Sequence, residues 1–226
     1  LRNPIKKHPI SFTKESLLYK NNFSSKDDLK SWVLEGDAEV TIKDNWLEMF
    51  SPNEKSHHVF WCPKELPGSF MAEWEMQNLN LNAGLCIVFF SAKGINGLDV
   101  MHPSQKKRFG VFNQYTKSDI NNYHISYYAN NPKKPNRPFS HLRKNKGFIT
   151  VQYGDKGIDA NSNSIHKIRL VKKENHISMS IDNREIINWK DDGLKYGEPH
   201  TGGKFSFRQM QWSHFRYRNF KVWNIN

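Results

Sequence analysis

Carboxylates are in short supply in this chain. Asp and Glu number 22 against 34 Lys and Arg, leaving a formal net charge of +12 over 226 residues. The balance favours polyanionic partners: nucleic acid, acidic membranes, or sulfated and uronic-acid polysaccharides. Long apolar runs are missing too. No stretch approaches the ~18 uninterrupted apolar residues of a membrane-spanning helix, so no membrane partner is expected. There are two cysteines, Cys62 and Cys86, and no Cys-x-x-Cys pair, which speaks against a zinc ribbon or a thioredoxin-type site. Each lies in an apolar strand-like run, "VFWCP" and "GLCIVFF", and reads as a buried free thiol, with a disulfide between them the alternative. His and Asp do not cluster at zinc spacing, since adjacent His57 and His58 would point to opposite faces of a strand. No Gly-rich phosphate loop, Ser-His-Asp signature or dense acidic calcium loop stands out. No metal and no cofactor is therefore expected.

Helical periodicity is nearly absent; "SSKDDLKSW" has room for one or two turns at most. What the chain has instead is alternation. "DAEVTIKDNWLEMF" alternates about Asp44–Asn45, and "HISMSIDNREIINW" about Asp182–Asn183; both read as hairpins. Further strands are read in "SFMAEWEMQNL", "GLCIVFFSA", "NYHISYY", "GFITVQY", "IHKIRLVKK", "GKFSFRQM" and "FRYRNFKVW". Many short strands separated by Gly, Asn and Asp predict an all-β sandwich of two antiparallel sheets. With no linker and no shift in composition, residues 1–226 read as one domain, with 1–15 a candidate N-terminal extension. Residues 93–110 and 129–141 read as long loops of the kind that shape binding sites. A chain that starts at Leu1 without a hydrophobic leader reads as one whose signal peptide was removed or whose terminus was trimmed.

The strand "NNYHISYYANN" (121–131) is unusual in carrying a single aliphatic residue, Ile125. Alternation puts Asn122, His124, Ser126 and Tyr128 on one face, and Tyr123, Ile125 and Tyr127 on the other. In "HHVFWC", His57, Val59 and Trp61 share a face. In "GKFSFRQM", Lys204, Ser206, Arg208 and Met210 oppose Phe205, Phe207 and Gln209. Three strands thus offer a polar face opposite a more aromatic one, which together would line a wet groove. There Trp61 would stack on a sugar ring. Arg208, with Arg143 and Lys144, would hold an anionic group, because guanidinium matches carboxylate and sulfate in bidentate fashion.

Several stretches together resemble the YesU-like proteins, a bacterial family of unknown function. They are "HHVFWCP" (57–63), "IVFFSAKG" (87–94), "DINNYHISYY" (119–128), "HLRKNKGF" (141–148), "DDGLKYG" (191–197) and "GGKFSFRQMQWSHFRYRNFKVW" (202–223). The resemblance spans roughly residues 30 to 226 in the same order, and its last stretch is the most specific. It implies a concanavalin A-like jelly roll of two curved sheets, with a saccharide groove on the concave one. It also implies a role in bacterial breakdown of acidic plant or algal polysaccharide, and hence a periplasmic or secreted protein, with the cytoplasm the alternative. The positions it matches are His57, Trp61, Tyr123, His124, Arg143 and Arg208.

Three chemistries fit this inventory. Hydrolysis needs two carboxyl groups at fixed separation. The nearest candidate, "EWEMQN", offers Glu73 and Glu75 on one face but amides at Gln77 and Asn78, and an amide cannot protonate a leaving group. Asp191 and Asp192 in "WKDDG" read more easily as a turn. Elimination next to a uronate carboxylate needs a base, an acid and a cation. His124 is the leading base or acid, with His57, Tyr123 and Tyr128 for the complementary role. Trp61, Gln114, Tyr115, His141, Arg143, Lys144, Arg208 and Gln209 make up the expected substrate-binding set. A departing sugar oxygen would make the enzyme a lyase, and a ring hydroxyl would make it a dehydratase. A non-catalytic glycan-binding module would use the same aromatic and amide residues without the acid and base. Nucleic acid is not expected as a partner, because Lys and Arg are dispersed and no recognition motif is present. The oligomeric state is left open.

Overall fold

A computed structural model describes residues 8–131 and 137–226. Part of the expected 129–141 loop, and the first seven residues of the expected N-terminal extension, lie outside the described residues. The strands are β1 (Lys14–Asn21), β2 (Val33–Gly36), β3 (Glu39–Lys43), β4 (Trp46–Phe50), β5 (His57–Leu66), β6 (Phe70–Asn78), β7 (Gly84–Gly94), β8 (Ile120–Asn130), β9 (Phe139–Asn145) and β10 (Ile149–Lys156). They continue with β11 (Ile165–Lys173), β12 (His176–Ile181), β13 (Arg184–Lys190), β14 (Gly203–Met210) and β15 (His214–Ile225). Helix among the described residues is one 3-10 turn, Lys26–Leu29, and one α-turn, α1 (Asn113–Thr116).

The strands form two antiparallel sheets in a jelly-roll sandwich. The seven-stranded sheet runs β10-β9-β8-β7-β14-β5-β2, and the eight-stranded sheet runs β13-β12-β11-β6-β15-β4-β3, with β1 also on β15. Both expected hairpin turns are present, joining β3 to β4 and β12 to β13. Asp44 and Asn45 have φ of 51° and 61°, and Asp182 and Asn183 have 51° and 66°. Two consecutive positive-φ residues match the right-handed twist of the flanking strands, and Asp and Asn tolerate that conformation best after Gly.

Between the sheets lies an aromatic core. Trp74 of β6 meets Phe205 and Phe207 of β14 edge-on, with centroids 5.5 and 5.7 Å away. Phe60, Cys62, Val88, Phe90, Ile125 and Tyr127 fill the same layer, all nearly or fully buried. Each large apolar side chain here is worth about 1.5–3 kcal/mol of burial. Cys62 and Cys86 are free and buried, as their apolar flanks predicted, and burial pushes both thiols up to about 12. Glu73 and Glu75 are directed away from this layer. Glu73 is held by Arg169 and Glu75 by Arg218, so neither is available for acid–base chemistry on the other sheet.

Candidate functional site

The outward face of the seven-stranded sheet is built from two cross-strand rows. One runs Val33, Trp61, Ser206, Phe89, His124, Arg143, Thr150. The next runs Glu35, Val59, Arg208, Ile87, Ser126, His141, Tyr153. Register places these side chains together, as the alternation of the separate strands required. Glu35 is the only carboxylate in the two rows.

Glu35 is already engaged. It accepts from Arg108 Nε at 3.1 Å, from Arg108 Nη2 at 2.8 Å and from the Tyr115 hydroxyl at 2.8 Å. These bonds anchor the connection between β7 and β8 over part of the face. Beneath it Val59, Trp61, Ile87, Phe89, Val100, Tyr115 and Ile120 make a second apolar cluster. The connection approaches closest at Gly110, where a Cβ would meet the His57 carbonyl oxygen at 2.1 Å and φ is +82°. Only glycine fits there.

Arg208 is fully buried under this cover. Its Nη2 donates to the Gly110 carbonyl at 3.0 Å, while Nε and Nη1 have no hydrogen-bond partner among the described residues. The rings of Phe112, Tyr115 and Phe89 lie 4.9, 5.2 and 5.9 Å from its guanidinium carbon. Burial lowers its pKa to about 10, so the side chain is still charged at neutral pH.

His124 is fully buried at the edge of the cover, against Phe89, Phe112 and Phe148. Its protonation is set by an amide relay. Asn122 Nδ2 donates to the Tyr115 carbonyl at 2.8 Å, which fixes that amide's orientation. Asn145 Nδ2 then donates to Asn122 Oδ1 at 2.8 Å and to His124 Nδ1 at 2.8 Å. Nδ1 is thus an acceptor, and the neutral ring carries its proton on Nε2. Nε2 faces Arg143 Nη1 at 3.5 Å, donor to donor. Desolvation first, then the charge of Arg143 and Arg208, holds the His124 pKa well below its ordinary value.

Arg143 is half-buried and lies over the Phe148 ring at 4.4 Å. Desolvation, and then Arg137, lowers its pKa to about 10. Arg137 Nη2 in turn donates to His141 Nδ1 at 3.0 Å. The partly open side of this face therefore presents Arg143, Arg137 and the Phe112 and Phe148 rings, with the His124 ring N–H buried behind Arg143. It is a set of hydrogen-bond donors with no free carboxylate among the described residues.

A family model described as "Domain of unknown function (DUF1961)" matches residues 16–222. The chain belongs to this family. The DUF1961 chain is 35% identical over 209 residues to "Uncharacterized protein YesU" of Bacillus subtilis, covering 91% of this chain and 94% of that one. A crystal structure of a protein of unknown function with a galectin-like fold, from Bacillus subtilis, superposes with TM-score 0.90 at 32% identity, covering 95% and 99% of the two chains. More distant structures share the fold alone. One is the carbohydrate-binding module CBM66 from Bacillus subtilis, with TM-score 0.55, 12% identity and 87% and 97% coverage. Another comes from work on endo-acting O-glycanases of human gut microbiota that initiate mucin breakdown, with TM-score 0.61, 11% identity and 93% and 100% coverage.

The DUF1961 fold brings together His124, Arg143, His141, Tyr115 and Arg208 of the sequence-named residues and separates the others. Tyr123 faces the inter-sheet layer. Its hydroxyl donates to Asp191 at 2.6 Å, and burial with that carboxylate raises its pKa. Lys144 is on the same inner side, 2.7 Å from Asp191, since it neighbours Arg143 in sequence and must point the other way. Asp191 is thus a buried partner, whereas Asp192 lies at the turn. Tyr128 is also internal. Cys86 pairs with Tyr128 and Ile87 with Ser126, so Tyr127 is an extra residue, and this bulge turns Tyr128 onto Asn78 at 2.8 Å. Gln209 points inward and donates to the Met49 carbonyl at 3.0 Å.

Trp61 does lie on the outward face, but it is fully buried beneath the cover and gives a sugar no platform. Gln114 accepts the Phe109 N–H at 2.8 Å and so serves its own turn. His57 is half-buried, its pKa lowered by desolvation and by Arg208. It lies three strands from His124 and, through Met210 against Ser206, four residues along. That is about 14 Å sideways and about 13 Å lengthwise, too far for the two to share one proton transfer. The residues that sequence reading missed are Asn122 and Asn145 as a relay, and Glu35 and Arg108 as anchors. Asn122 was placed on the correct face, but its partner lies on a different strand.

Proposed function

We propose that this protein recognises an acidic saccharide on the outward face of its seven-stranded sheet, beside the cover. Arg143 would take the anionic group in bidentate fashion, and His124 Nε2–H, buried behind it, would donate to one of the oxygens once the guanidinium swings outward onto the ligand. Phe112 and Phe148 would pack against the ring, while Arg208 adds positive charge from behind Phe112. The observation that carries this reading is the meeting of two donors, His124 Nε2–H and Arg143 Nη1, 3.5 Å apart with no carboxylate to separate them. An acceptor oxygen between them would satisfy both. A glycan partner is in keeping with the fold, which is shared with a carbohydrate-binding module and with a structure from work on O-glycanases.

Hydrolysis by paired carboxylates has no support on this face, where Glu35 is already spoken for. Elimination, as a lyase or dehydratase, is the second reading. Arg143 and His124 are the right groups to steady an enolate oxygen. His124 would then act as a donor, and the proton would have to go elsewhere, with the exposed Tyr153 beside His141 a candidate phenol. Recognition without chemistry asks less of the residues present and is preferred.

The test is calorimetric titration with a uronate oligosaccharide and with its carboxyl-reduced, neutral counterpart. Binding of the acidic form alone, weakened by salt and lost in Arg143→Ala, is the expected result. Equal binding of both forms would end the acidic-saccharide reading. Appearance of an unsaturated uronate in the same mixture would promote elimination over simple recognition.

A further inference from the structure

A second constellation lies at the other end of the sandwich, where β8 ends and β9 begins. Ser162, His166 and Asp182 line one groove of about 1160 Å³. Ser162 Oγ is 2.7 Å from His166 Nε2, and His166 Nδ1 is 2.6 Å from Asp182 Oδ2. Asp182 Oδ1 also accepts the Lys167 N–H at 2.8 Å, which ties down the second oxygen of the carboxylate. A carboxylate only accepts, so His166 carries its proton on Nδ1 and turns the Nε2 lone pair to the Ser162 hydroxyl. This is the reverse of the tautomer at His124, and it is the one that a hydroxyl nucleophile requires.

The loop that carries Ser162 is fixed from several sides. Tyr128 donates to the Ala160 carbonyl at 3.1 Å, and Gln77 Nε2 to the Asn163 carbonyl at 2.6 Å. Ser162 N–H closes a turn onto the Asp159 carbonyl at 3.0 Å. The groove's lining joins apolar Ile158, Ile181 and Phe139 to a guanidinium, Arg184, which the Lys156 and Gly157 carbonyls orient and which pairs with Asp155 at 3.7 Å. An apolar wall beside a fixed cation suits a small acyl group whose carbonyl oxygen gains negative charge.

We propose that Ser162, His166 and Asp182 form an acyl-transfer site that hydrolyses esters of small acyl groups, independently of the saccharide face. Ser162 Oγ attacks the ester carbonyl carbon as its proton passes to His166 Nε2. The carbonyl re-forms, the C–O bond to the alcohol breaks, and the leaving oxygen takes the proton from His166. Water then gives a proton to Nε2 and adds to the acyl carbon, and Ser162 Oγ departs and recovers the proton. The net reaction is ester plus water to acid plus alcohol. Asp182 acts through His166 as the positioning residue.

The intact chain is incubated with a fluorophosphonate and, separately, with 4-nitrophenyl acetate. The expected result is one covalent adduct, mapped by mass spectrometry to Ser162. It should be absent in Ser162→Ala and formed roughly 100-fold or more slowly in His166→Ala, the usual worth of a general base. Asp182→Asn keeps a residue that tolerates the hairpin turn and should also slow labelling, because an amide no longer fixes the Nδ1–H tautomer. Circular dichroism melting confirms that each variant is folded. No adduct, an adduct elsewhere, or equal labelling of folded His166→Ala would overturn the proposal.

Discussion

Asn145 Nδ2 donates to His124 Nδ1 at 2.8 Å, and through that bond an amide decides which histidine nitrogen faces Arg143. The other hydrogen of the same nitrogen is spent on Asn122 Oδ1, itself oriented by a backbone carbonyl. A buried chain whose donors are all committed in this way disfavours a flipped ring, although Asn145 Oδ1 itself has no partner among the described residues. The relay makes His124 a donor, which is why we favour anion recognition over proton abstraction at this residue.

Replacing Asn145 should therefore change chemistry as well as stability. Asn145→Ala leaves Asn122 Oδ1 and His124 Nδ1 buried without a donor, at about 1–3 kcal/mol for each group left unpaired. Asn145→Asp puts an acceptor at Nδ1 and should pull the proton there. Ring ¹⁵N shifts read both: wild type should show the Nε2–H pattern, and Asn145→Asp the Nδ1–H or doubly protonated one. A wild-type Nδ1–H pattern would refute the relay.

Arg208 should prove dispensable for folding. Its guanidinium is fully buried with Nε and Nη1 unpartnered among the described residues, and desolvating a cation costs more than the one hydrogen bond to Gly110 and the faces of Phe112 and Tyr115 return. Arg208→Met fills similar volume without the charge. Its melting temperature should equal or exceed that of wild type, while affinity for a uronate oligosaccharide falls. A clear drop in melting temperature would show that Arg208 is structural.

Acid should weaken the fold well before the carboxylates titrate. Burial lowers the pKa of His58 to about 3 and of His200 to about 4, and it holds that of His124 far down. In the unfolded chain all three take up protons near 6.5. The stabilisation is thus complete above that pH and is lost as pH falls toward the folded values, by about 1.4 kcal/mol per pH unit for each group. Carboxylates with depressed pKa values act only below about 4.5, so the interval from pH 6.5 to 5 isolates the histidines. Urea unfolding should lose several kcal/mol across that interval, and His58→Gln should flatten the slope. Constant stability from pH 7 to pH 5 would contradict the assignment.

Much of the fold was legible because its signals are local. The turns at Asp44–Asn45 and Asp182–Asn183 announce themselves in two residues, and alternation correctly set His124 against Ile125 and Arg208 against Phe207. It failed at Tyr128, where the bulge at Tyr127 resets the period; nothing in "ISYYAN" marks an extra residue, because both tyrosines suit a core. Lys144 was grouped with Arg143 by charge, although the strand period places adjacent residues on opposite faces. Trp61 was put on the correct face, yet its cover comes from the 93–110 loop, some 40 residues on, and its anchor from Glu35. The Ser162–His166–Asp182 set was invisible for the same reason. Its carboxylate sits at a turn the sequence did reveal, but only the pairing of β11 with β12 brings that turn to His166.

The cover itself should depend on one carboxylate. Arg108 has a side chain 3% exposed; Glu35 is the carboxylate it pairs with directly, and Asp119 adds a weaker, longer-range attraction. Glu35 also receives the Tyr115 hydroxyl, and that hydroxyl accepts the Gly110 N–H at 3.0 Å. Glu35→Ala strands a buried guanidinium, a loss of about 3–5 kcal/mol when one partner of a buried pair is removed. The damage should be local first, since the segment can peel away and hydrate Arg108 while the Trp74 core stays packed. Amide exchange at Gly110 and Tyr115 should accelerate far more than at Ile125 or Phe207. The double variant Glu35→Leu with Arg108→Met removes both charges and should recover most of the protection. Uniform acceleration across core and cover in Glu35→Ala would show instead that the pair holds the whole sandwich. Failure of the double variant to recover protection would mean that the Tyr115 hydroxyl bond, not the ion pair, fastens the cover.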